Sequence, residues 1–142
     1  MDIQELAIGC WVLCKGNPVL VKEVETDWIT VKTHNGLDCV APNRLKPIPL
    51  SGDLLERCGF KVTEKYTKQT GGVDYMTWSS QLGAFNLDIT VGLSNTVGRD
   101  WSIHIDNADH QTVASCDIAY VHQAQQLARL VGSDGIFDNM FR

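Results

Sequence analysis

"DIAYVHQAQQLARLVG", Asp117 to Gly132, decides the fold class. Wound as a helix, it gathers Tyr120, Ala124, Leu127 and Val131 on one side, with Val121 and Ala128 flanking them. The other side carries a continuous polar stripe of His122, Gln125, Gln126 and Arg129. One amphipathic helix cannot bury its apolar side alone, but laid across an antiparallel sheet it can. A helix from Asp117 is therefore expected to cover one face of the strands that precede it. Surface helices more often carry Glu and Lys, which pair one turn apart. Glutamine and histidine instead hold donors and acceptors at fixed positions, which suits a neighbouring strand, a partner protein or a base edge. The stripe is the first candidate binding surface, with a solvated face as the plainer alternative.

The strands upstream support that architecture. "LSGDLLERCGF" predicts a two-turn helix capped by Ser51 or Asp53 and stopped by Gly59. "FKVTEKY", "VDYMTWS", "AFNLDITVGL", "WSIHID" and "TVASC" follow as strand candidates, with Gly71-Gly72 as a turn. In "WSIHID" the alternation is clean, with Trp101, Ile103 and Ile105 on one face and Ser102, His104 and Asp106 on the other. The tail "SDGIFDNMFR" places Ile136, Phe137, Met140 and Phe141 in a polar terminus. They are expected either to fold back on the body or to pack on another copy of the chain.

The first fifty residues have a different rhythm. "IGCWVLCKG", "PVLVKEV", "WITVKT" and "LDCVA" are short strands separated by tight turns, with Val19, Val21 and Val24 facing inward. In the third strand Ile29 and Val31 oppose Trp28, Thr30 and Lys32. Asn35-Gly36 is a strong hairpin signal. "PNRL" predicts one tight turn, and "KPIPL" a short extended segment stiffened by Pro47 and Pro49. Five short strands in fifty residues favour a bent antiparallel sheet closed into a small barrel of the Src-homology-3 or Tudor kind. Such barrels bind peptides, nucleic acids or nothing, so the fold alone assigns no function. Trp11 and Trp28 are its candidate aromatic contacts, with a core role as the alternative.

The expected class is thus α+β, with a small β-barrel over residues 1–50 and an α+β unit over residues 51–142, the two forming separate units or one body. The chain's 142 residues suit this, and 44% hydrophobic against 20% charged residues allows a packed core. The net charge of -5 argues against a protein built to neutralise a phosphate backbone. Residues 1–50 carry only -1 of it, with five Lys/Arg, so a local basic patch there is allowed. "MDIQELAIGC" has acidic residues where a secretion signal carries basic ones, and no apolar run is long enough to span a bilayer. The five cysteines, an odd count, read as reduced thiols, so a cytoplasmic location in a bacterium or phage-infected cell is expected.

Three blocks carry a resemblance. "PNRLKPIPLSGDLLERCGF" (42–60) and "YVHQAQQL" (120–127), with the opening Leu6 to Gly16, resemble a family of small uncharacterised bacterial and bacteriophage proteins. That family shows a "lxIGnyVxxxg" opening, a "PIPLT-x-ELL-x-KCGF" block and a C-terminal "YVHQLQNL" helix. This chain departs at Ala124 and Gln126, where the family has Leu and Asn, and 66–112 has no counterpart. The resemblance implies an accessory protein of a phage or mobile element and carries over no catalytic or binding residues.

Motifs for chemistry are weak. Cys10 and Cys14 share a strand face without a second pair at zinc-ligand spacing, and His34 and Cys39 do not complete one. Cys116 and His122 would differ by about 120° on a continuous helix. Asp106 and Asp109 suit turn amides. Ser94 to Asp100 reads as a hairpin connection rather than a phosphate loop. No metal, no cofactor and no enzyme activity is expected. The first expectation is a non-catalytic interaction protein that binds a host or phage protein, for instance an inhibitor of host defence. A small-ligand binder such as a sponge for a nucleotide signal is the alternative, a nucleic-acid-binding barrel is less favoured, and self-association would use the apolar tail.

Overall fold

The computed structural model describes residues 1, 5–67, 73–94, 98–132, 137, 140 and 141. The Gly71-Gly72 turn and Ile136 lie outside them, as do residues 95–97 of the hairpin connection. Two five-stranded antiparallel sheets account for most of the chain. The α+β class stands.

The first sheet holds β1 (Trp11–Cys14), β2 (Asn17–Val24), β3 (Ile29–Thr33), β4 (Gly36–Val40) and β5 (Leu45–Lys46). Its order is β4-β3-β2-β1-β5. A single 3₁₀ turn, Pro42–Arg44, leads into β5, closed by Arg44 N–H donating to Ala41 C=O at 3.0 Å. Proline at the start suits it, since its fixed φ fits the turn and no backbone donor is lost there. Pairing among the described strands leaves β4 and β5 as the two edges, so the sheet as paired is open where the sequence predicts closure. Val19, Val21, Ile29 and Val31 face its core with Leu6, Cys10, Val12 and Leu45. Val24, expected inward, is only partly buried against this group.

The β3–β4 hairpin sits one residue earlier than expected. Thr33 pairs with Gly36, which leaves His34 and Asn35 as the turn. The Thr33 hydroxyl accepts from Asn35 N–H at 3.1 Å and donates to Gly36 C=O at 3.1 Å, so a side chain tightens the turn. Gly36 then takes the positive φ, 111°.

The helix α1 (Gly52–Arg57) is capped by the Ser51 hydroxyl, which accepts from Leu54 N–H at 3.3 Å. Gly59 follows at φ 89° as the left-handed stop. The second sheet comprises β6 (Lys61–Thr67), β7 (Val73–Leu82), β8 (Phe85–Ser94), β9 (Gly98–Asp106) and β10 (Thr112–Ile118), ordered β10-β9-β8-β7-β6. Ser94 pairs with Gly98, as a hairpin connection requires. Trp101, Ile103 and Ile105 point into the core with Trp78, Leu87 and Ile89, as their alternation predicts.

The helix α2 spans Val121–Leu130, four residues shorter at its start than expected. Asp117 and Ile118 end β10, paired with Ser102 and Trp101. The break is local: Gln123 Oε1 accepts from Ala119 N–H at 2.7 Å and Tyr120 N–H at 3.1 Å. That satisfies donors a helix start leaves open. Val121, Ala124 and Ala128 pack on the second sheet, alongside Leu55 of α1. Gly52 lets α1 approach closely, since a Cβ there would lie 2.6 Å from the Trp78 ring.

Residue 50 falls inside a joint between the two parts. Leu50 N–H donates to Ala119 C=O at 3.1 Å, and Val121 N–H to Ile48 C=O at 2.9 Å. Trp11, on β1, packs in the core of the second sheet. No described helix is long and apolar enough to cross a membrane.

Candidate binding surfaces

The polar stripe of α2 faces the first sheet. Gln125 is 4% exposed, and both its amide oxygen and its amide nitrogen are bonded. Its Oε1 accepts from Trp11 N–H at 2.9 Å, and its Nε2 donates to Gly9 C=O at 3.1 Å. Gln126 Nε2 donates to Glu5 C=O at 3.0 Å. The Arg129 guanidinium lies over Gly9, where a Cβ would collide with it, and Gly9 has φ 87°. The positive φ favours glycine there, and its missing Cβ leaves room for the guanidinium. Burial pushes the Cys10 thiol up, while the nearby Arg129 charge pulls the other way. The stripe therefore meets the segment from Glu5 to Trp11, and Gln125 offers nothing to a separate partner.

His122 is buried as well, at 3% exposure, with its ring stacked on Tyr120 at 5.8 Å. Its Nδ1 has no hydrogen-bond partner. Burial holds its pKa below the usual histidine value, and the Glu5 carboxylate opposes this. It is a neutral histidine in the wall of the joint. Cys116, by contrast, is exposed on β10.

The tail folds back, the first of its two expected fates. Phe137 and Met140 are each 1% exposed in the second core, and Phe137 stacks on Phe60 at 5.8 Å. Phe137 C=O accepts from Trp11 Nε1 at 3.1 Å, and Phe141 meets the Trp11 ring edge-on at 5.1 Å. Trp11 is thus a core residue that ties β1 to the tail. The Trp11–Phe141 pair also walls a cleft of about 330 Å³, with Leu20, Lys32 and His34 opposite.

The outer face of the second sheet bonds to itself. Ser79 donates to Asp88 and shares a 2.7 Å hydrogen bond with Thr63, while Asn86 Nδ2 donates to Asp88 at 3.0 Å. Thr77 and Thr90 pair at 2.8 Å. His104 meets Asp106 at 3.1 Å and Thr112 at 2.8 Å. Ser79 bonds to a carboxylate rather than to a histidine, an arrangement that fixes side chains in place and does not raise a nucleophile.

One tryptophan remains outside. Trp11, Trp78 and Trp101 are each under a tenth exposed, whereas Trp28 is 56% exposed. A turn closed by Glu25 N–H donating to Trp28 C=O at 3.0 Å positions it just before β3. It lines a cleft of about 410 Å³ with Lys15, Asp38 and Arg44. Lys15 and Arg44 also border a second cleft, of about 620 Å³, with Asn43 and Lys46. Lys15, Arg44 and Lys46 escape a reading of strands because each sits at a turn or strand end. The signal for them is the five Lys/Arg among residues 1–50, the less acidic part of the chain. Among the described residues, no three His, Cys, Asp or Glu side chains converge as a metal site requires.

No family model, curated protein or solved structure matches the chain.

Proposed function

We propose that the protein is a non-catalytic interaction protein that binds a protein partner through the first sheet, around Trp28. The observation that carries this reading is the exposure of Trp28 beside a cleft, when the other three tryptophans are packed inside. Large aromatics are enriched where proteins bind each other, because one rigid ring buries much area at little entropic cost. The strand order β4-β3-β2-β1-β5 with a 3₁₀ turn before β5 supports a small barrel of the Src-homology-3 or Tudor kind as its frame. The resemblance to bacterial and phage proteins makes a host or phage protein the expected partner, met in the cytoplasm. Affinity capture from bacterial lysate at physiological salt tests this. The intact chain is expected to retain a stable partner that Trp28→Ala releases, and recovery of none, or equal recovery by both, would count against the reading.

A second reading, binding of a small ligand such as a nucleotide, is favoured by the cleft beside Trp11. Its volume of about 330 Å³ is at the small end for ligand pockets, and it joins aromatic walls to Lys32 and His34. Thermal stabilisation by added nucleotides, lost in Lys32→Ala, is its test.

A further inference from the structure

We propose that the turn end of the first sheet is a basic groove that takes a short acidic segment of a protein, with Trp28 as its apolar platform. This rests on the interaction reading above and names the chemistry of the partner.

Three cations define the groove. Lys15 lies in the β1–β2 turn, Arg44 ends the 3₁₀ turn and Lys46 lies on β5. Because both clefts include Lys15 and Arg44, they run together as one groove with Trp28 at one end and Lys46 at the other. All three cations are exposed, and among the described residues none forms an ion pair. The contrast with Arg129, which is laid over Gly9, is direct.

The backbone adds an independent observation. Lys15 has φ 52° and Gly16 φ 79°, the two positive values of a two-residue hairpin turn. Asparagine or glycine suits the first of these positions, and a lysine there is strained. A charged side chain held in that conformation, beside two more of the same sign, sits there for its charge rather than for the turn.

The occupant follows from charge and length. A carboxylate pairs with the Arg44 guanidinium through two parallel hydrogen bonds, while Lys15 and Lys46 act as point charges. A proline or aliphatic side chain stacks on the Trp28 ring. A long polyanion fits poorly, because the chain as a whole carries -5 and repels it over its length. A short segment with a few carboxylates feels mainly the three cations beside it. Side chains hold it rather than strand addition: Asp38 Oδ1 already accepts Cys39 N–H at 2.9 Å on the edge strand β4, blunting that edge.

The test is a random library of peptides of about ten residues, panned on the full chain, with a triple charge reversal (Lys15→Glu, Arg44→Glu, Lys46→Glu) and Trp28→Ala as comparison chains. Circular dichroism checks that each variant folds. Peptides enriched in Asp and Glu are expected, weakened about tenfold or more by the reversal, and weakened also as salt rises from about 0.1 M to about 0.5 M. Peptides no more acidic than the library, or equally retained by the reversed chain, would overturn the groove. If such peptides still depend on Trp28, the interaction reading survives without it; if nothing binds, both fall. A labelled oligodeoxythymidine strand bound more tightly than the acidic peptides would assign the groove to nucleic acid instead.

Discussion

The two sheets share strand number and antiparallel pairing but treat their polar groups in opposite ways. The second is built from strands of seven to ten residues and is covered by α1, α2 and the returning tail. Its outer face is a ladder of Ser, Thr, Asn, Asp and His groups that bond to one another. The first is built from strands of two to eight residues around a group of eight buried side chains. Three of its cations, Lys15, Arg44 and Lys46, and its exposed tryptophan line two adjoining clefts, with no ion pair to any of the three among the described residues. A sheet that needs a helix to close its core has one face committed and the other self-satisfied. A small sheet whose core is nearly its own leaves its turns free to carry charge, which is why the first sheet carries the candidate site.

The largest expected effect tests the claim that the second sheet depends on its cover. Phe137→Ala removes a ring that is 1% exposed and stacked on Phe60. It should cost about 3–5 kcal/mol, the range for truncating a buried aromatic. A urea titration followed by far-ultraviolet circular dichroism reads this directly. A loss under about 1 kcal/mol would mean that the tail decorates the core rather than completing it.

The next effect tests the seam where the two sheets meet. Gln125→Leu leaves Trp11 N–H and Gly9 C=O inside the joint without partners. Each orphaned group costs about 1–3 kcal/mol, so a loss of about 2–4 kcal/mol is expected. Hydrogen exchange locates it: the Trp11 amide should lose protection while the amides of β8 and β9 keep theirs. Equal loss across both sheets would show that they unfold as one unit and that the contrast between them is architectural only.

What the sequence makes legible follows from the range of each interaction. The faces of β9 are readable because neighbours two apart in sequence share a face, and Ser51 and Gly59 are readable because a cap acts within one turn. The start of α2 is missed by four residues because Gln123, an ordinary helix residue by composition, reaches back to Ala119 and Tyr120. The stripe is recognisable as unusual, yet its answer lies at Gly9 and Trp11, more than a hundred positions away. Amide groups suit a strand's backbone as well as a partner's, so composition could not choose between them. The groove is hidden for a related reason. Lys15, Arg44 and Lys46 belong to separate local features, and only the pairing of β1 with β5 brings them to one end.

The smallest expected effect is the most specific, because its sign is opposite to that of most substitutions. Lys15→Asn puts a residue that tolerates positive φ where a lysine now sits at φ 52°. It should raise stability by about 0.5–1 kcal/mol, seen as a higher urea midpoint at unchanged slope. The same change removes one of three groove charges and should weaken the acidic peptides selected on the intact chain. The two readouts must move apart for the comparison to hold: a gain in stability from relieving the turn, and a loss of binding from removing the charge. A variant that gains no stability would remove the strain argument for Lys15. One that gains stability and binds the peptides as before would leave Arg44 and Lys46 to hold the segment and make the lysine incidental.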